Sequence, residues 1–272
     1  MRKTIKIIFV NCFAWIISLI VLIPVIIILI NSLKTQAEAV SMTLIPPQKL
    51  QFNNYLQAIE QGKLVISFLN SAIYSITGSF IVVISCSMAA FVLSRNSTKI
   101  NRFIYYFIIL GIALPVNYVA LMNIMKVTML INTRIGISFL YAAVNIPLYL
   151  FITYAFINTI PKELDEAAVI DGCGPVSLFF YIIFPLLKPV LITVGVLCFM
   201  FCWNEFMLPL YYLNSSSKWP MSLAVYSFFG QFRQQWNLVC ADIVLTSLPV
   251  VLIYIFGQKY IVSGMTAGAI KG

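Results

Sequence analysis

The chain has no histidine and very little charge: 17 basic and eight acidic residues among 272, 9% of the total. Without histidine, most hydrolytic mechanisms lack their usual general base, and imidazole-based metal sites are excluded. Walker-type phosphate loops, dinucleotide glycine loops and acidic or cysteine metal clusters are also missing. The chain therefore shows no means of using ATP by itself, and neither a catalytic residue nor a metal site is expected. The six cysteines, Cys12, Cys86, Cys173, Cys198, Cys202 and Cys240, show no disulfide spacing. All but Cys173 lie in or beside apolar runs, so reduced thiols are expected. Met1-Arg2-Lys3 precedes an apolar run that is too long for a signal peptide and has no small-residue cleavage site after it, so it reads as a retained helix.

What is abundant is apolar sequence: 61% of residues are hydrophobic and the mean hydropathy is +0.99, far from a soluble domain. Lys6–Lys34, Lys63–Arg95, Arg102–Lys126 and Arg134–Lys162 enclose segments without charge. Lys188–Lys218 encloses only Glu205, and Arg233–Lys259 only Asp242. Each interval holds the roughly 20 apolar residues that a membrane-crossing helix needs. The runs are continuous, not alternating, which favours helices over a barrel. An all-α membrane protein with six transmembrane helices is expected, near 9–33, 66–93, 103–125, 137–159, 189–212 and 238–258. Together they are expected to form a single transmembrane domain over 1–272. Pro24, Pro115, Pro147, Pro209 and Pro249 fall in or at the ends of spans, where kinks or helix breaks are expected.

With the N-terminus inside, ten of the 17 basic residues fall on the inner side, mostly on short segments. Both termini and the 161–185 loop are then cytoplasmic. This basic bias suits an anionic inner leaflet, and the +9 net charge needs no nucleic-acid partner.

The most polar inner segment is Glu163–Pro185, ELDEAAVIDGCGPVSLFFYIIFP. Pro161 is suited to open a helix there. Glu163, Asp165 and Glu166 set negative charge at its positive end, Ala167 and Ala168 keep the next turn slim, and Gly172 with Gly174-Pro175 ends it. An ordinary capped surface helix accounts for the caps but not for Ile182 and Pro185 downstream.

Glu166-Ala167-Ala168, Gly172, Ile182 and Pro185 stand at the spacing of the EAA loop, with Phe184 where leucine is commoner. The chain resembles the permeases of carbohydrate ABC importers, similar to the maltose-type second permease. Further matches are Pro46-Pro47 with Asn54-Tyr55, Ala89–Arg95 (resembling "AYALAR"), Trp203-Asn204-Glu205-Phe206 ("WNEF") and the Gln258–Gly272 tail. The resemblance implies a type I importer permease fold working by alternating access. Its partners are a homologous permease in a heterodimer, two ATPase subunits that bind ATP and Mg, and an extracytoplasmic solute-binding protein, all at the bacterial cytoplasmic membrane. It also implies ATPase coupling through Glu163, Asp165, Glu166, Ala167, Ala168, Asp171, Gly172 and Pro185. It implies too that the tail, about 259–272, reaches the ATPases through Gly264, Gly268 and Lys271.

Two polar pairs interrupt apolar spans: Asn117-Tyr118 beside Pro115, and Asn204-Glu205. They either line the translocation path or brace neighbouring helices. The rival from another class is an autonomous proton-coupled transporter using Glu205 and Asp242, for which six helices without a visible inverted repeat are few. Asn214–Trp236 is rich in aromatics, suited to the outer interface or to a lid.

Overall fold

The computed structural model describes the backbone of residues 2–229 and 235–269, and side chains from 6 to 229 and 235 to 259. Among the described residues the architecture is almost wholly helical. The main helices are α1 (Arg2–Ser32), α2 (Leu64–Arg95), α3 (Lys99–Leu110), α4 (Tyr118–Val127), α5 (Arg134–Ile157), α6 (Glu163–Ile170), α7 (Lys188–Asn204), α8 (Met207–Tyr212) and α9 (Trp236–Ala269).

Four stretches are long and apolar enough to cross a membrane: Lys6–Ser32, Leu64–Arg95, Arg134–Ile157 and Trp236–Lys259. A fifth arises when Pro175–Leu186 and Lys188–Asn204, bent by 74°, are counted as one broken span. The expected third span is not one helix. It divides into α3 and α4 around Gly111–Asn117, where Pro115 supplies no amide donor and Asn117 caps the restart by accepting the Ala120 amide at 3.0 Å. The expected fifth span likewise stops at Asn204 and resumes as the six-residue α8. The second span, expected from 66, opens at Leu64. Pro24, Pro147 and Pro249 lie inside α1, α5 and α9. A lipid-facing helix satisfies its own backbone, and these few lost bonds leave the helices continuous.

The chain groups into two compact units. The first comprises 1–65 and 224–248. Residues 6–26 of α1 are exposed all round, as befits a helix whose apolar surface belongs in lipid or against another subunit. After α1 the chain turns on buried polar bonds. Asn54 Nδ2 donates to the carbonyls of Ser32 and Lys34, each at 2.8 Å, and Asn237 Nδ2 donates to Asn54 Oδ1 at 3.0 Å. Buried Lys34 donates to Asn31 Oδ1, Thr43 O and Thr43 Oγ1 at 2.9–3.0 Å, which uses all three ammonium protons.

The second unit, 66–223 with 249–272, holds the apolar core. Gly78 lets α2 close on its neighbours: a Cβ there would stand 3.2 Å from Tyr141 Cβ on α5 and 3.5 Å from Cys202 Sγ on α7. From the residue before Gly78, in the same crossing, Thr77 Oγ1 donates to Ser138 Oγ at 2.8 Å. Small residues and interhelical hydrogen bonds hold such contacts where lipid provides no hydrophobic drive. At the N-terminal end of α2, Asn70 Nδ2 donates to the carbonyls of Ser217 and Trp219, Tyr74 Oη to that of Lys218, and Trp219 Nε1 to that of Leu213. The 213–221 segment is thereby tied to the start of α2. Phe232 and Arg233, part of the expected interfacial stretch, lie outside the described residues.

Candidate functional site

Helix α6 begins at Glu163, two residues beyond Pro161, with Glu163, Asp165 and Glu166 in its first turn. Carboxylates there offset the exposed amide dipoles. Its end is built by Gly172. The Cys173 amide donates to Ala168 O at 2.9 Å and the Gly172 amide to Val169 O at 3.0 Å, with Gly172 at φ +82°. This paired closure requires a left-handed residue after the C-cap, Asp171, which is why glycine stands there. A Cβ on Gly172 or Gly174 would meet nothing within 4 Å. The glycines thus leave open space on the outward side of the turn.

The side chains of α6 separate into two faces. Ala168 is buried at 4% exposure and joins the apolar core, while Ala167 faces outward. Val169, Ile170 and Val176 are exposed, Ile170 at 86%. Glu163, Glu166 and Asp171 are exposed as well. The slimness of Ala168 therefore serves packing inside this chain, and the outward surface consists of Ala167, the open glycines and the exposed aliphatics.

Asp165 turns toward its own chain. Its Oδ2 lies 2.6 Å from Nε of Arg95, the last residue of α2, and both side chains are mostly buried. Arg95 also donates to Ile160 O at 3.2 Å and to Asp165 Oδ1 at 3.4 Å. One guanidinium thus clamps the end of α2 to both ends of the 160–165 connection. From sequence Arg95 marks a helix ending and an inner-side charge, and its partner was missed. The available signal was an arginine closing one span and an acidic first turn following another, in a chain with few charges.

Downstream of Gly174 the chain runs through a π-helical turn, Leu178–Ile183, into Phe184–Leu186. Leu178, Phe179 and Ile183 are buried, and Phe179 packs against Phe91 of α2 with ring centroids 5.5 Å apart. Pro185 is exposed and removes a donor one turn after Tyr181. The chain bends at the fully buried Leu187 into α7. The α6 region is thereby joined to α2 by an ion pair and an aromatic contact, and to α7 through the buried turn.

The two polar pairs occupy the two helix breaks. Asn117 is exposed and caps α4. Tyr118 packs on Tyr211 with centroids 4.9 Å apart, and Tyr212 Oη donates to Tyr118 O at 2.8 Å, so α4 and α8 come together. Asn204 is exposed, and its Nδ2 donates to Met200 O at 2.9 Å. Glu205 Oε1 accepts the Leu208 amide at 2.9 Å, satisfying a free donor in the first turn of α8, and Ser222 Oγ donates to Glu205 O at 2.8 Å. Asp242 is buried in α9. Cys198 and Cys202 share a face with sulfurs 4.0 Å apart. Gly264 and Gly268 fall within α9, whereas Lys271 lies outside the described residues.

Long apolar helices and an exposed helical loop anchored to two of them define a multi-span membrane protein. The chain belongs to the family of binding-protein-dependent transport system inner membrane components, whose model matches residues 81–267. It is 35% identical over 257 residues to the probable starch degradation products transport system permease protein AmyC of Thermoanaerobacterium thermosulfurigenes, covering 94% of each chain. It is 34% identical to the melibiose/raffinose/stachyose import permease protein MelC of Bacillus subtilis (strain 168), covering 92% of this chain and 91% of that protein. The fold matches a chain in the crystal structure of a bacterial ABC transporter that imports the acidic polysaccharide alginate. There the TM-score is 0.82 at 23% identity, over 96% of this chain and 98% of that one. The fold is therefore that of an ABC importer permease, and the protein is a multi-pass membrane component.

Proposed function

We propose that this chain is one of two homologous permeases in an ATP-driven importer of sugars or oligosaccharides. Two ATPase subunits bind ATP and Mg, the permease itself binds no cofactor, and an extracytoplasmic binding protein delivers the solute. The sugar class rests on what the similar permeases are named for.

The observation that carries the coupling role is the construction of α6. It offers apolar side chains and an open glycine turn on one side, while Asp165, Ala168 and the 178–187 turn fasten the other side to α2 and α7. A partner that grips the exposed side moves α6, the end of α2 and the start of α7 together. Glu163, Glu166, Ala167, Asp171 and Gly172 face the ATPase in this reading. Asp165 and Ala168 hold the helix in place, and Pro185 shapes the bend below it. Closing of the ATPase pair then switches the bundle between inward- and outward-facing states, each ligand acting through its differential affinity for the two. The tail through Gly264, Gly268 and Lys271 is assigned to the same partner. Asn117, Tyr118, Asn204 and Glu205 are placed along the solute path, at the helix breaks where polar groups are accessible.

Purification of the tagged chain from gently solubilised membranes tests this. Recovery of a second permease and two copies of an ATPase is the expected result. A chain that purifies alone and still transports after reconstitution overturns it.

A further inference from the structure

A polar cavity of about 450 Å³ opens beside the α6 anchor, where the end of α2, the start of α3 and the last turn of α5 meet. Its polar lining comes from Ser94, Asn96, Ser97, Arg102, Tyr105, Tyr106 and Tyr154, and no carboxylate contributes to it among the described residues. Arg95, immediately next to Ser94 and Asn96 in the chain, is neutralised by Asp165. Arg102 is exposed and has no side-chain hydrogen bond or ion pair among the described residues, so the cavity carries one guanidinium without a counter-charge there. Tyr105 stacks on Tyr154 with centroids 4.0 Å apart and meets Tyr106 at 5.5 Å. Three tyrosines and one guanidinium thus line the same cavity. Such a set suits a phosphate diester: the guanidinium pairs with two oxygens and phenol hydroxyls donate to the rest. The volume lies in the range of small-ligand sites.

The source of the phosphate follows from the flanks. On α3, Phe103 and Phe107 stack with centroids 6.1 Å apart and are 69% and 67% exposed. Ile100 and Ile104 beside them are exposed too. A free anion gains nothing from such a surface, whereas an acyl chain does. Tyrosines at a cavity mouth next to exposed phenylalanines also fit the headgroup level of a bilayer. We infer that this cavity binds the phosphodiester headgroup of an anionic inner-leaflet phospholipid, with Arg102 as its charge partner. The inference goes beyond the transport reading and shares with it only the inner-side orientation of the α6 face. A lipid held there touches residues on both sides of Arg95, so occupancy bears directly on the clamp that positions α6.

The test is native mass spectrometry of the purified permease complex, reconstituted in nanodiscs of phosphatidylglycerol and phosphatidylcholine and then released. Preferential retention of phosphatidylglycerol is expected, reduced about fivefold by Arg102→Gln, as one cation at a charged surface supplies. Lys99→Gln, one turn earlier but not lining the cavity, should leave the preference unchanged. Equal loss in both variants means diffuse surface attraction and overturns the site. Displacement of the lipid by millimolar inorganic phosphate, or equal retention of phosphatidylcholine, overturns the lipid assignment. Because the readout is lipid retention, it fails or succeeds independently of whether an ATPase copurifies.

Discussion

Gly172 separates two explanations for the open turn after α6. Its φ of +82° is left-handed, and no atom lies within 4 Å of where a Cβ would sit. Gly172→Ala therefore meets no clash, and its whole effect is conformational, about 1–2 kcal/mol for an L-residue held in that region. That cost lowers the population of the closed cap roughly 5- to 30-fold. Gly172→Asn pays far less, because asparagine visits the left-handed region readily. Gly174 is equally open but sits at φ −73°, which any residue adopts, so Gly174→Ala costs nothing in conformation. The assay is the amount of ATPase retained per permease after affinity purification at fixed detergent. Alanine at 172 should reduce retention several-fold, asparagine should restore most of it, and alanine at 174 should leave it unchanged. If Asn fails as badly as Ala, the turn matters for its emptiness and not for its backbone. If Ala at 172 has no effect, the cap geometry is irrelevant to docking and the argument built on it falls.

The Arg95–Asp165 clamp lies between the exposed and buried limits for ion pairs, so Asp165→Asn should destabilise by about 2 kcal/mol. A thermal melt in detergent reads this, and Arg95→Met with Asp165→Leu should recover part of the loss because no buried charge is orphaned; a double variant as weak as the sum of the singles contradicts the pairing. Gly78→Val should cost about 1–3 kcal/mol by forcing α2 away from Tyr141 and Cys202, seen as a lower melting temperature, and an unchanged melt refutes the close crossing. Glu205→Gln keeps an acceptor for the Leu208 amide whereas Glu205→Ala removes it, at a cost of about 1 kcal/mol. If Glu205→Gln leaves uptake and substrate preference intact, the carboxylate is a brace and has no place in the solute path.

How much could be read in advance depended on range. Lipid offers no hydrogen bonds, so every spanning segment must be a long apolar run, and such runs are visible residue by residue. Hence the all-helical membrane class, the positions of α1, α2, α5 and α9, and the helix at Glu163–Ile170 ended by Gly172 were evident from order and composition. The EAA-type spacing likewise lies in the chain itself and pointed to the family that the residue 81–267 match shows. Hydropathy does not register where a span breaks, because Gly111–Asn117 and Glu205-Phe206 are short and flanked by apolar residues on both sides. Those breaks follow from which carbonyls and amides find partners in three dimensions: Asn117 capping α4, Glu205 capping α8, and Tyr212 reaching Tyr118. The same holds for direction along α6. Ala167 and Ala168 are identical in sequence terms, yet packing buries one and exposes the other. Asp165 and Arg95 are 70 residues apart, and only the folding of α2 against the loop makes them one ion pair. Local chemistry and the demands of lipid settle the elements, whereas burial and long-range pairing decide which face of each element is free to meet another molecule.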